Sequence, residues 1–238
     1  MEVSAHAPHL DPAAGLDAAH EAGDIVRAAG LDVIAYGSYL GRFGQTTGQH
    51  AEREAAIAAA LGTSLLRVWA EPIEEGNYDV APVVDLMQAA ADAAAAAGVT
   101  VVIERHLGSF ADTSERIDDL FQRIGRPNVA LNYQVLDFLP EEALPGQAAD
   151  ATQLIGRARY VHLKNYQFNE PRGGMVLPGG SLENGVLDYR AILAAIVASG
   201  YDGPLTIEFL AADERSVEDK LRSDVDFVLR TLDAVRHG

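Results

Sequence analysis

The sequence contains no cysteine. Disulfides, thiolate nucleophiles and cysteine-based metal sites are therefore excluded. Lysine is nearly missing too: Lys164 and Lys220 are the two lysines, and the other basic residues are arginine. Positive charge is scarce overall, with 18 Lys and Arg against 35 Asp and Glu and a formal net charge of -17. A phosphate backbone or an anionic membrane surface is a poor partner for such a chain, so neither nucleic acid nor membrane binding is expected. The same field opposes long-range capture of anionic substrates unless a local arginine cluster overrides it. There is no apolar run of the roughly 18 residues a membrane span requires, and no basic-then-apolar leader opens the chain. The expectation is a soluble, cytoplasmic protein.

What is present is a repeat. With 48% hydrophobic and 22% charged residues in 238, the chain can bury one sizeable core, and a single domain over 1–238 is expected. Strand-like and helix-like stretches alternate: strand Glu2 to Ala5, helix Ala13 to Ala29, strand Leu31 to Tyr36, helix His50 to Leu61 and strand Leu65 to Trp69. Helix Val80 to Ala97, strand Val99 to Glu104, helix Ser114 to Ile124, strand Asn128 to Tyr133, a short helix near Ala148 to Ile155 and strand Arg159 to Lys164 follow. Helix Tyr189 to Ser199, strand Leu205 to Phe209 and helix Val217 to Val235 close the series. Most of these strands are apolar on both faces, as parallel strands buried between helices are. They recur at intervals of about 30 residues or more, the length of one βαβ unit.

Two segments break the rhythm. Gly37 to Gly48 (GSYLGRFGQTTG) matches neither glycine fingerprint of phosphate binding, so it reads as a mobile loop near a site. Residues 166–185 are too long for a plain connection and carry Phe168, Arg172, Met175 and several glycines. A lid that excludes water is the preferred reading.

Polar residues gather at the carboxyl ends of the strands. Arg67, Trp69 and Glu71 share one parity; Glu104 and His106 close the next strand, Asn132 and Gln134 another, and Glu208 the last. In the stretch RYVHLKN, period 2 sets His162 and Lys164 on one face. Lys164 is open to a chemical role or to the plain one of a solvent-facing lysine at a strand exit. Contributions from strand after strand suit a (β/α) barrel whose top face is the site, rather than an open sheet with one switch point. Seven strands are visible where a complete barrel has eight. Either a first βα unit lies before Met1 or the barrel is open at that seam, and an open edge would call for cover by a loop or by a partner chain such as a second copy in a homo-oligomer.

LLRVWAE at 65–71, VVIERHLGSFADT at 101–113, NVALNYQ at 128–134, YVHLKN at 160–165 and GYDGPLTIEF at 200–209 together resemble the xylose isomerase-like TIM-barrel superfamily, the sugar phosphate isomerase/epimerase group. The resemblance covers nearly the whole chain. It implies an α/β fold of (β/α)8 type, here without its first βα unit. It also implies a divalent metal held by a glutamate, an aspartate, a histidine and a second glutamate. Position by position these fall on Glu104, Gln134, His162 and Glu208, with Gln134 departing from the family's aspartate and removing one negative charge. Such a mostly oxygen shell suits Mn2+, Mg2+ or Co2+, and Zn2+ stays open.

In the family manner, Glu104 and Glu208 are the proton-transfer pair of a sugar isomerase or epimerase working through an enediolate. His6, Arg67, Trp69, His106 and Lys164 are candidates for contacts to a small sugar-like or polyol-like substrate. Each has a plainer reading: a frayed terminus for His6, an interior ion pair with a glutamate for Arg67, a pocket wall for Trp69 and a packed supporting histidine for His106. The alternatives for the chemistry are a lyase or dehydratase sharing the enolate, a Schiff-base aldolase through Lys164, and a binding protein without catalysis. The net charge disfavours an endonuclease.

Overall fold

The structure, a computed structural model, describes residues 1–73, 78–169 and 175–237, with backbone only at 168–169 and 175–178. The chain divides into two compact units, Met1–Glu104 with Gly108–Asn132, and Arg105–Leu107 with Tyr133–Gly238.

The first unit is four βα repeats and a fifth strand: β1 (Glu2–Ser4), α1 (Leu16–Ala28), β2 (Ala35–Gly37), α2 (Gly48–Leu61), β3 (Leu65–Val68), α3 (Ala81–Ala96), β4 (Thr100–Glu104), α4 (Ser114–Ile124) and β5 (Val129–Tyr133). All neighbouring strands are parallel, in the order β1-β2-β3-β4-β5. Local chemistry sets the helix ends. Thr47 caps α2 by accepting from the His50 amide, while the His50 ring accepts from the Thr47 amide. Thr113 caps α4 through the Arg116 amide, and Gly62 and Gly125 end their helices in the left-handed conformation. Leu66, Val68, Val101, Val102, Ile103 and Leu131 are buried in the strands. They meet a helical layer rich in small residues, with Ala55, Ala58, Ala90, Ala91 and Ala94 also buried.

The second unit holds α5 (Gly146–Leu154), β6 (Ala158–Leu163), β7 (Asn165–Asn169), β8 (Met175–Gly180), α6 (Tyr189–Ala198), β9 (Leu205–Ile207) and α7 (Val217–His237). β6 pairs parallel with β9, setting His162 opposite Thr206 and Leu163 opposite Ile207. Seven strands thus lie in parallel ladders among the described residues.

Three differences from the sequence expectation have a clear physical cause or bear on the site. The first helix starts at Leu16, because Asp11 caps a separate 3-10 turn over Pro12–Ala14 and Gly15, at φ +85°, breaks the chain direction. The second strand is Ala35–Gly37 rather than Leu31 to Tyr36; Leu31 is exposed, and the ladder with β1 begins only where Ala35 faces Glu2. Residues 166–185 are not a plain loop: β7 and β8 form an antiparallel hairpin, while Arg172, Gly173 and Gly174 lie outside the described residues. No described helix is long and apolar enough to cross a membrane.

Candidate functional site

In the first unit, Arg67 of β3 joins Glu2, the first residue of β1, to Glu104, the last residue of β4. Its guanidinium lies 3.0 Å from Glu2 and 3.0 Å from Glu104, and all three side chains are largely buried. Arg67 thus sits in an interior ion pair with two glutamates. The pair is reached because β3 and β4 run in register with Arg67 opposite Val102, and β4 ends on Glu104 opposite Asn132. The buried Trp69 carries Arg67 5.2 Å from its ring centroid and Arg42 at 4.2 Å, and its indole N–H donates to the Ser38 carbonyl. His6 is exposed, stacked at 5.7 Å on His9 and 6.4 Å from Tyr39.

The glycine-rich segment between β2 and α2 makes backbone hydrogen bonds within itself. The Gly41 amide donates to the Gln45 carbonyl, the Arg42 amide to Tyr39 and the Gln45 amide to Arg42. Gly41 has φ +86°, and a Cβ there would sit 1.8 Å from the Trp69 carbonyl oxygen, so only glycine fits.

In the second unit, Tyr160, His162 and Lys164 alternate with Val161 and Leu163 as period 2 requires, yet both faces are buried. Lys164 is 1% exposed, which removes the solvent-facing reading. Its ammonium lies 3.0 Å from Glu208 and 3.2 Å from Asp137. Asp137 also takes a 2.6 Å contact from the Tyr166 hydroxyl. Burial, then the charge and hydrogen bond of Asp137, push the Tyr166 phenol well above its usual range, so it remains a donor to that carboxylate. His162 packs edge-on against Tyr160 at 4.8 Å, with Nδ1 3.7 Å from Glu208. Glu208 follows β9, where its amide donates to the Leu163 carbonyl, and its side chain retains 25% exposure.

Gln134 is held by Arg105: its amide nitrogen donates 2.7 Å to the Arg105 carbonyl, and Arg105 returns a bond to the Gln134 carbonyl. Arg105 also pairs with Asp150. The amide orientation turns the Gln134 side-chain oxygen away from Arg105. His106 is half-buried, with its ring nitrogen 3.2 Å from the Leu107 carbonyl.

The structure therefore brings His162, Lys164 and Glu208 into one cluster and joins Arg67 with Glu104. Sequence reasoning missed Asp137, which pairs with Lys164, Tyr166, which donates to Asp137, and Arg42, which lies over the Trp69 and Phe43 rings. A carboxylate three residues past Gln134 was the available signal for Asp137. Asn165, just past Lys164, is buried and holds the backbone of the segment that follows it. Its side-chain nitrogen donates to the Leu182 and Leu187 carbonyls while its oxygen accepts from the Tyr166 and Leu187 amides; a carboxylate cannot donate. A groove of about 560 Å³ lined by Leu144, Gln147, Leu187 and Ile192 among others contains none of the candidate residues.

As a metal set, the donors of the second unit are one carboxylate, one imidazole and one carboxamide oxygen, a chemistry that suits a hard divalent ion. The Lys164 ammonium beside Glu208 and the neutral Gln134 weaken it. Among the described residues, no group of three or more His, Asp or Glu side chains is placed to hold a metal.

Parallel βα repeats with acidic, amide and imidazole side chains at the strand ends define an α/β protein of barrel type. The chain belongs to the xylose isomerase-like TIM barrel family, whose model matches residues 1–231. It is 29% identical over 151 residues to inosose dehydratase of Geobacillus thermodenitrificans, a match covering 56% of this chain and 47% of that protein, so it spans about half of that relative's length. Among solved structures it is similar to an L-ribulose 3-epimerase, with a TM-score of 0.72 at 18% identity over 99% of this chain and 84% of that one. It is also similar to a xylose isomerase-like TIM barrel protein from Mycobacterium smegmatis in complex with magnesium, with a TM-score of 0.68 at 16% identity over 91% and 78% of the two chains.

Proposed function

We propose that the chain is an enzyme that moves a proton at the carbon beside a carbonyl of a small sugar-like or polyol-like substrate, and so isomerises or epimerises it through an enediolate. The observation that carries this reading is Glu208. It is a part-exposed carboxylate at a strand end, aimed by the buried Lys164 at 3.0 Å and flanked by His162 at 3.7 Å. A fixed carboxylate with solvent access on one side can take a carbon-bound proton and return it, a role worth about 10²–10⁴-fold. In this reading Glu104 is the second proton-transfer group, and His6, Arg67, Trp69, His106 and Lys164 contact the substrate. Residues 1–238 act as one barrel domain, with the segment 166–185 as its lid.

Glu104, Gln134, His162 and Glu208 are the residues that would hold a divalent ion, with Mn2+, Mg2+ and Co2+ ahead of Zn2+. When bound, that ion supplies polarisation of the substrate carbonyl. The protein's own part is to hold Glu208 in one orientation through Lys164 and Asp137 and to keep the Tyr166 proton on its hydroxyl.

The likeness to an inosose dehydratase favours a second reading, in which the same first proton transfer is followed by loss of a β-hydroxyl as water. Imine formation at Lys164 gains no such support, since it would take the shared cation from Asp137 and Glu208 together. Incubation with ketoses and with inososes in D2O, with and without added Mn2+, separates the readings by NMR and mass. Epimerisation exchanges one carbon-bound proton and conserves mass apart from the deuterium. Dehydration loses water. Absence of exchange and of mass change across both substrate classes, with metal present, would sink the proposal.

A further inference from the structure

The aromatic side chains past β1, β2 and β3 form a connected surface of which the proton-transfer reading uses only His6 and Trp69 and leaves Tyr39, Arg42 and Phe43 without a role. His6 lies 6.4 Å from Tyr39, and Tyr39 lies 5.3 Å from Phe43. Behind them the Arg42 guanidinium is sandwiched, 4.7 Å from the Phe43 ring and 4.2 Å from the Trp69 ring, and it pairs with Glu71 at 3.1 Å.

Two features argue against simple core packing. Phe43 is 73% exposed, so its ring buries little of itself. Its backbone also sits at φ +49°, a left-handed conformation that costs a bulky residue energy and persists only where the surroundings impose it. Gly41 and the Gly41–Gln45 and Gln45–Arg42 backbone bonds impose it here. The loop is thus shaped to present an apolar ring to solvent, beside the Arg42–Glu71 pair.

We propose that His6, Tyr39 and Phe43, backed by Arg42 and Trp69, form a stacking subsite for an uncharged pyranose or cyclitol ring. Flat aromatic faces match the C–H faces of such rings, and the Arg42–Glu71 pair matches their equatorial hydroxyls. Glu71 offsets the charge of Arg42, and the chain's net charge of -17 opposes a phosphorylated ligand. All of these residues follow the carboxyl ends of strands, the end at which parallel α/β proteins bind ligands, and Arg67 links Trp69 to Glu104 within the same unit. The inference rests on the proposed polyhydroxylated substrate only for the ligand's class.

Trp69 is the single tryptophan, and it lies directly under Arg42, so its emission reports the subsite without any turnover. Titration with methyl glucopyranoside, myo-inositol and glucose 6-phosphate should give a saturable change with the two neutral rings, and a weaker response to the phosphate. Phe43→Ala and Tyr39→Ala should each weaken the neutral-ring response by about tenfold, and Phe43→Tyr should retain it. Circular dichroism and unfolding midpoints confirm that the variants fold. No saturable change with either neutral ring, a preference for the phosphate, or wild-type affinity in folded Phe43→Ala would overturn the inference. Because this readout needs no catalysis, binding without proton exchange in D2O would refute the enzyme reading and leave the subsite standing. Exchange on open-chain ketoses with no ring binding would do the reverse.

Discussion

Replacing Lys164 by methionine removes the cation that Asp137 and Glu208 share and leaves most of the volume in place. The ammonium is 1% exposed and lies 3.0 Å and 3.2 Å from the two carboxylates. Breaking a buried ion pair from one side costs about 3–5 kcal/mol, chiefly because the other charge is left without compensation. Here the cost falls toward the lower end. The Glu208 side chain keeps 25% of its exposure and Asp137 10%, so water can reach both, and Asp137 keeps the Tyr166 hydroxyl at 2.6 Å. Methionine restores the apolar stem and its contacts. The expected loss is about 3 kcal/mol in urea unfolding at pH 7. Adding Asp137→Asn should recover part of it, with a coupling energy of about 1–3 kcal/mol in the double-mutant cycle. A loss below about 0.5 kcal/mol, the scale of an ordinary surface substitution, or strict additivity, would refute the view of Lys164 as the anchor of this cluster.

Three further outcomes follow from the same geometry. Gly41→Ala places a methyl group 1.8 Å from the Trp69 carbonyl at a left-handed φ, and should cost at least about 2 kcal/mol and shift Trp69 emission; an unchanged midpoint would contradict the packing. Gln134→Asp restores a charge to the proposed metal set and should tighten Mn2+ by about tenfold or more in a binding titration, whereas weaker binding would count against the ligand assignment. Asp224 is buried with one oxygen accepting from the Leu182 amide, and burial raises its carboxyl above the usual range. A raised native value means the folded state binds the proton more tightly. The cost of the charge is therefore absent in strong acid, grows as pH rises through the window between the unfolded and folded values, and is full above it. Asp224→Asn keeps an acceptor for Leu182 and should raise the unfolding temperature at pH 7, with the advantage fading as pH falls toward about 4.

The βα repeat was legible because each strand is a short apolar run and each helix has its own stop signal, such as Gly62 after Leu61 and Gly125 after Ile124. The helix Ser114–Ile124 was read to the residue, since Thr113 marks its start. The hairpin β7–β8 was not legible: its pairing joins residues that carry no alternation strong enough to outweigh the glycines at 179 and 180. In the candidate site, the rarity of Lys164 pointed to a special position, and period 2 set it beside His162. Its partners could not be read off the chain. Asp137 lies in an irregular stretch after β5, and the side-chain paths of Arg67 toward Glu2 and Glu104 depend on strand registers that no local pattern encodes. Phe43 was hidden for a related reason, because the left-handed turn that exposes it is set by the close approach of Gly41 to Trp69.

The central claim is that Glu208 moves a proton at a carbon beside a carbonyl, and deuterium incorporation tests it most directly. With a ketose or inosose that the wild-type protein turns over in D2O, the carbon-bound deuterium signal should appear at a rate that drops by about 10²–10⁴-fold in Glu208→Gln, while the variant's circular dichroism stays that of the wild type. Incorporation at an unchanged rate in folded Glu208→Gln, or turnover by the wild type without any incorporation, would contradict the account.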